Sequence, residues 1–198
     1  MKGVILIIII IILIVYLLPK YTHPTVINNF LDESERRYII QEASNKLETS
    51  MISRDKQINE SIRKSETAWL NKNDPIIKGV IQRCLKYTDR PFDNCEKLQV
   101  VRYKPGGHYK LHQDAFKDDK NMRIYTFILA LNDGYGGGET IFPNINKSYK
   151  LKAGDALFFD TLNNYDCMTR KALHGGKTVV HGNKWICNLW VRKFSYTN

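Results

Sequence analysis

Hydrophobic residues follow three rhythms along this chain. The first is a block: residues 4–18 form an unbroken apolar run of 15, mostly isoleucine. A membrane-spanning helix usually needs about 20 such residues. The run suits the apolar part of a signal sequence, yet Pro19, Lys20 and Tyr21 offer no small-residue cleavage site. An uncleaved signal-anchor over residues 1–20 is expected, ahead of a cleaved signal peptide or a buried core helix. Residues 21–30 read as a linker. The second rhythm is helical. Asp32 and Glu35 have capping-box spacing, and Tyr38, Ile39, Ala43 and Leu47 continue as an apolar stripe. Asp74-Pro75 opens another helix in the favoured cap-then-proline order, with Ile77, Ile81, Cys84, Leu85 and Thr88 on its apolar face. Between the two, residues 48–65 are polar and predict an exposed loop or irregular hairpin. The third rhythm is that of strands. Residues 98–103, 109–114, 123–131, 140–142, 149–151, 156–160 and 184–193 are rich in aromatic and β-branched side chains, with glycine-rich punctuation between them. Several short strands at this spacing predict a sandwich or jelly roll behind two N-terminal helices.

At 198 residues the chain is long enough for one domain with a full core. The net charge of +10 is scattered rather than blocked. Such a surface attracts acidic partners, lipid headgroups or nucleic acid. No basic helix with interleaved aromatics appears, so no nucleic-acid partner is expected. Lys2 precedes the apolar run while Lys20, Arg36 and Arg37 follow it, so the charge bias does not favour a cytosolic N-terminus. Four cysteines (Cys84, Cys95, Cys167 and Cys187) contain no C-x-x-C pair, and Asn59-Glu60-Ser61 and Asn146-Lys147-Ser148 are glycosylation acceptors in a secretory context. These features lean towards a single-pass membrane protein with its domain in the endoplasmic reticulum lumen or another secretory compartment.

Chemistry enters with His112 and Asp114, an H-x-D pair inside GGHYKLHQD. On a strand, side chains at i and i+2 leave the same face. His174 follows 62 residues later, and a second imidazole from a distant strand would complete a two-histidine, one-carboxylate set with open positions. That arrangement suits non-haem Fe(II) and oxygen chemistry. Lys184 lies 10 residues beyond His174 and shares a strand face with Ile186, Asn188 and Trp190. A lysine aimed into an apolar barrel is costly unless it meets an anion, which a dicarboxylic acid chelating the metal would supply. Taken singly, each residue is weak evidence. An isolated H-x-D pair is commonly a surface pair, His174 beside Gly175-Gly176 could sit in a turn, and Tyr103 and Trp190 could be core aromatics. His108 and His181 compete as ligands. The pair is complete without His108, and His181 falls in the turn before Lys184, beyond the expected pocket mouth.

In combination these segments resemble the prolyl 4-hydroxylases, of collagen and plant type, within the Fe(II)/2-oxoglutarate dioxygenase superfamily. LQVVRYKPGGHYKLHQD looks like the strand entering the metal pair, and RIYTFILALNDGYGGGETIFP is similar to the core hairpin. LKAGDALFF resembles the strand before the distal histidine, and LHGGKTVVHGNKWICNLWVR the histidine-and-lysine segment. IRKSETAWL looks like a substrate-loop motif usually written R-x-S-x-G, with Glu66-Thr67-Ala68 in place of the expected glycine. The resemblance runs from about residue 30 to 192. It implies a double-stranded β-helix (jelly roll) core at 96–193 within a dioxygenase domain at 31–194.

By the same resemblance, His112, Asp114 and His174 match the iron ligands, and Lys184 matches the residue pairing with the distal carboxylate of 2-oxoglutarate. Tyr103 and Thr126 match residues that hydrogen-bond that carboxylate. Arg63, Ser65, Glu96, Tyr109, Arg123 and Trp190 match positions near the peptide groove. Lysine rather than arginine at 184 favours the collagen and plant branch, because a point charge and a bidentate fork are not interchangeable. The activity implied is hydroxylation of peptidyl proline in proline-rich or collagen-like peptides. Oxygen and 2-oxoglutarate are consumed, succinate and CO2 released, and L-ascorbate rescues oxidised iron. Two other readings stay open: a related 2-oxoglutarate hydroxylase with a non-proline substrate, and a catalytically dead, membrane-tethered peptide-binding module.

Overall fold

Alternate residues of the central strands face two different cores, and this alternation organises the molecule. The computed structural model describes residues 5, 7, 16–52 and 57–197. In chain order the elements are β1 (Thr25–Ile27), α1 (Glu33–Ser44), β2 (Glu48–Thr49), β3 (Arg63–Lys64), β4 (Glu66–Leu70), α2 (Pro75–Leu85), β5 (Leu98–Tyr103), β6 (His108–His112), β7 (Arg123–Ala130), β8 (Gly136–Gly137), β9 (Thr140–Phe142), β10 (Lys147–Tyr149), β11 (Ala156–Asp160), β12 (His174–Gly176), β13 (Val179–His181) and β14 (Lys184–Arg192). A seven-stranded antiparallel sheet runs β1-β11-β7-β14-β5-β4-β2, and a five-stranded one runs β10-β9-β12-β6-β3.

Val100, Phe127, Leu129, Cys187 and Leu189 of the larger sheet pack with Ile39 and Ala43 of α1 and Ile77, Val80, Ile81 and Cys84 of α2. Their neighbours Val101, Ile128, Ala130 and Ile186 point the other way and join Phe142, Leu157 and Phe159 between the two sheets. Period-two side-chain placement thus commits one face to the helices and the other to the barrel interior. The result is the expected double-stranded β-helix, mainly β with few helices.

Both helix starts follow the sequence pattern. Asp32 accepts from the Glu35 backbone N–H while the Glu35 carboxylate accepts from the Asp32 N–H. Asp74 caps α2 ahead of Pro75. The ends differ: α1 stops at Ser44, before Leu47, and α2 at Leu85, before Thr88.

Other expectations need correction. The segment 21–30 is more than a linker, because β1 within it forms an edge of the large sheet against β11. In the polar stretch 48–65, of which residues 53–56 lie outside the described residues, Ile52 bridges Gln57, and the described part is not uniformly exposed. Ser50 and Arg63 are buried within it. Its hydroxyl and guanidinium groups are satisfied by one another, which is how polar side chains become interior. Strand β4 was not anticipated. The strand expected at 149–151 lies at Lys147–Tyr149, because Leu151 is drawn into the core and cannot continue an exposed edge. The strand expected at 109–114 ends at His112, leaving Asp114 just outside the ladder.

Cys84, Cys95 and Cys187 are buried as unpaired thiols in the helix-side core, and Cys167 is exposed and unpaired. Burial raises the Cys84 and Cys187 thiols well above the ordinary range and Cys95 to about 12, so all three behave as small hydrophobes. The apolar run at 4–18 lies mostly outside the described residues. Among those described, no helix is long and apolar enough to cross a membrane.

Candidate metal centre and cosubstrate pocket

Strands β6 and β12 are antiparallel neighbours, and their register sets His112 directly opposite His174. The imidazole rings lie 4.4 Å apart. Asp114 arrives from the turn after β6. The three ligand atoms fall within 4.8 Å of one another. His112 Nε2 is 3.7 Å from Asp114 Oδ1, and His174 Nε2 is 3.8 Å from Asp114 Oδ2. These separations exceed a hydrogen bond, so the three groups converge without satisfying each other.

Each histidine is oriented from behind. The Nδ1 of His112 lies 2.9 Å from the Lys110 carbonyl, and that of His174 lies 3.0 Å from the Ala172 carbonyl. A carbonyl can only accept, so both Nδ1 atoms carry a proton, and Nε2 is the nitrogen each ring turns to the cavity. Tyr109 stacks on the His112 ring at 3.7 Å, and Phe142 stacks on His174 at 5.3 Å with Phe159 edge-on. The Thr126 hydroxyl donates to Asp114 Oδ2 at 2.7 Å. Burial alone would favour a neutral Asp114, but His174, His112, Arg123 and the Thr126 hydroxyl together hold its carboxyl below the usual range. Burial and the adjoining His174 lower the His112 imidazole, leaving it neutral. Two imidazole Nε2 atoms and one carboxylate, arranged around an open position, fit a divalent iron ion.

These groups line one cavity of about 550 Å3. Lys184, Ile186, Asn188 and Trp190 of β14 all face it, as alternation along one strand requires. Lys184 is only 5 % exposed, and its ammonium donates to the Gly138 carbonyl at 2.8 Å. Burial, with Lys150 nearby, lowers it to about 8. A buried cation with one neutral acceptor is a socket for an anion. The Tyr103 ring lies 5.4 Å from that ammonium. Burial raises its phenol, so it stays a hydrogen-bond donor.

The remaining predicted residues divide. Arg63, Tyr109, Arg123 and Trp190 line the same cavity, with Tyr103 and Thr126. Ser65 and Glu96 do not, and they act one layer behind. Glu96 is buried and accepts from Arg123 at 2.6 and 2.8 Å and from Arg192 at 2.8 Å. Arg123, buried but raised by Glu96, sits over Trp190 at 3.7 Å. Ser65 accepts from Arg63 Nε at 3.0 Å and donates to Ser50. Thr67, which stands where the resemblance expects glycine, accepts from Arg63 Nη2 at 3.3 Å and pairs with Ser50. The guanidinium of Arg63 is thereby held 4.8 Å over the Tyr109 ring. Thr126 bonds the metal-facing carboxylate rather than standing free for a cosubstrate. His108 turns to the Gly106 and Ser61 carbonyls, and the exposed His181 ring packs on Gly136; neither joins the cluster.

Sequence reasoning placed Asn188 on the Lys184 face without a role, and missed Ser50, Gln99 and Arg192. Gln99 and Asn188 pair at 3.0 Å on the cavity wall, and Arg192 ties Glu96 to Asp119. Asn188 was legible from strand parity. The others depend on contacts between distant segments.

A jelly roll holding two histidines and a carboxylate at one open position, in the same cavity as a buried lysine, defines the class: a non-haem iron oxygenase that takes an acidic cosubstrate. Residues 98–192 match the model of the 2OG-Fe(II) oxygenase superfamily. A protein of Acanthamoeba polyphaga mimivirus described as a prolyl 4-hydroxylase is 36% identical over 188 residues, covering 89% of this chain and 77% of its own. An Arabidopsis thaliana protein described as prolyl 4-hydroxylase 10 is 31% identical, over 87% of this chain and 69% of its own. Among solved structures, the viral collagen prolyl hydroxylase of Paramecium Bursaria Chlorella virus-1, in complex with 2-oxoglutarate, superposes with a TM-score of 0.71. It is 28% identical and covers 87% of this chain and 97% of that one. The chain belongs to the prolyl 4-hydroxylase family of Fe(II)- and 2-oxoglutarate-dependent dioxygenases.

Proposed function

We propose that this protein hydroxylates peptidyl proline at C4 in proline-rich or collagen-like segments, using O2 and 2-oxoglutarate and releasing succinate and CO2. The observation that carries this reading is the convergence of His112, Asp114, His174 and Lys184 on one cavity in a chain of this family. In this assignment His112, Asp114 and His174 hold Fe(II), and Lys184 holds the distal carboxylate of 2-oxoglutarate, with Tyr103 beside it. When bound, the iron and its cosubstrate supply the oxidising power that inserts one oxygen atom into a C–H bond. The chain supplies placement. Thr126 aims the Asp114 carboxylate, the two backbone carbonyls hold the Nδ1 side of each imidazole so that both Nε2 atoms face the metal position, and Phe142 and Phe159 keep water from the ring of His174. Tyr109, Arg123 and Trp190 form the wall we assign to the peptide, with Arg63, Ser65 and Glu96 bracing it. A flat aromatic and guanidinium wall suits a proline ring and its flanking carbonyls. L-ascorbate would serve as the reductant that keeps the bound iron ferrous.

The test is incubation with (Pro-Pro-Gly)n and poly-proline, read by mass spectrometry and by succinate release. A gain of one oxygen per modified proline is expected. Succinate formed without any peptide gaining oxygen would point instead to a non-proline substrate. A site that neither binds iron nor releases succinate would mark a binding module.

For location, we propose that residues 1–20 anchor the protein in a membrane, with the catalytic domain on the lumenal side of a secretory compartment. The apolar run supports this reading, as does the seating of the segment that follows it. The Tyr165 hydroxyl donates to the Leu17 carbonyl at 2.8 Å, and Lys20 and Asn164 exchange bonds of 2.6 and 3.0 Å. An anchor ending there would leave the domain close to the bilayer.

A further inference from the structure

The Tyr135–Glu139 loop, which contains the two-residue strand β8 paired with β13, carries a lysine on each side, and only one of them belongs to the site described above. From inside the cavity, Lys184 donates to the Gly138 carbonyl at 2.8 Å. From outside, the exposed Lys150 donates to the Tyr135 carbonyl at 2.9 Å and to the Gly137 carbonyl at 2.6 Å. Its ammonium also sits over the Tyr135 ring at 3.5 Å. Three carbonyls within four residues are therefore committed to two ammonium groups.

The loop has little freedom to find another shape. Gly137 and Gly138 have φ of +67° and +69°. A Cβ at Gly137 would stand 2.4 Å from the Thr178 carbonyl, and one at Gly138 would meet Lys184 Cδ at 3.2 Å and the Tyr135 ring at 3.1 Å. The loop backbone thus lies directly on the stem of Lys184, with the buried Tyr135 ring between it and the core. Two consecutive left-handed glycines are entropically costly to order. Charge-assisted bonds from Lys150 offset that cost and fix the carbonyl against which Lys184 is aimed.

We infer that Lys150 is a positioning residue for the cosubstrate: it clamps the Tyr135–Glu139 loop from outside so that the Lys184 ammonium is held at the place where a dicarboxylate's distal end binds. Lys150 need not touch the cosubstrate. It acts through the loop, and its exposure means that its removal leaves the core intact. The inference rests on Lys184 as the 2-oxoglutarate partner.

The test compares Lys150→Met, Lys150→Arg and Lys184→Met in the full chain. The readouts are 2-oxoglutarate affinity, by calorimetry on the Zn(II)-loaded protein without turnover, and KM and kcat with iron and peptide. Lys150→Met is expected to weaken 2-oxoglutarate binding and raise its KM by about tenfold, the scale of a lost pair of charge-assisted bonds. The kcat and the peptide KM should stay within about twofold, because the metal ligands and peptide wall are untouched. Lys150→Arg, which keeps charge and donors, should restore most of the affinity. Unchanged 2-oxoglutarate affinity in Lys150→Met, beside a large loss in Lys184→Met, overturns the role given to Lys150. A parallel rise in the peptide KM also overturns it, because that marks a general loosening. If Lys184→Met itself binds 2-oxoglutarate normally, it is the assignment of the cosubstrate site that fails.

Discussion

Lys184 pairs with a carboxylate only while protonated, and burial holds its ammonium down to about 8. Because kcat/KM reports the free enzyme, kcat/KM for 2-oxoglutarate should be flat below that pH. It should then fall about tenfold per unit well above it, with Lys150 and Glu139 as the charges that tune the midpoint. Initial rates at limiting 2-oxoglutarate across pH 6.5–9.5 check this, and a profile still flat at the alkaline end would remove Lys184 from the binding step. Thr126 makes a second prediction at this scale. Its hydroxyl is the donor that aims Asp114, so Thr126→Val should weaken metal affinity by about 10- to 100-fold, measured by competition with a chromophoric chelator. Glu96 makes a third. It is the shared anion between Arg123 and Arg192, and Glu96→Ala would strand the largely buried Arg123 guanidinium and leave Arg192 to Asp119 alone. A loss of roughly 3–5 kcal/mol in urea unfolding is expected, the usual cost of removing one partner from a buried pair. Of these residues, His112, Asp114, His174 and Lys184 were legible as candidates because their types and spacing carry chemistry. The placement of Glu96 and Ser65 behind the wall was not legible, since a residue one layer back differs from one at the surface only in its tertiary contacts.

At the level of elements, the pairing of β6 with β12 sets the distance between the two imidazoles. Gly175 sits at that crossing, and a Cβ there would come within 2.9 Å of the Tyr109 carbonyl and 3.2 Å of Leu111. Gly175→Ala should push the strands apart and cost metal affinity more than stability. Comparing iron-binding titrations with the thermal midpoint checks this, and unchanged iron binding would show that the ladder absorbs the methyl group. The helices and long strands were readable because capping residues and strong periodicities act locally. The short edge strands β1, β2 and β3 were not. Two or three residues carry too little pattern, and they are strands only because a longer partner offers them hydrogen bonds. The hairpin around Ser50 and Arg63 shows the same effect: its polar side chains satisfy one another inside the fold, so polarity misread as exposure.

For the whole molecule, the anchor proposal predicts partition. The full chain should resist alkaline carbonate extraction from membranes, while a version beginning at residue 19 should remain in the supernatant and keep its 2-oxoglutarate turnover. Truncation there spares β1, whose pairing with β11 closes one edge of the large sheet. Release of the full chain by carbonate would argue against the anchor without touching the catalytic reading. By itself the sequence determined what is written in local pattern: two capped helices, a run of strands, an apolar N-terminal block, and an H-x-D pair with a distant histidine and lysine. Those features follow from side-chain type and period, which act over a few residues. Only the tertiary structure decided which residues share the cavity, which stand behind it, and how the glycine loop is gripped between Lys150 and Lys184. Such relations join segments dozens of residues apart, and they exist only once two sheets have closed around a common interior.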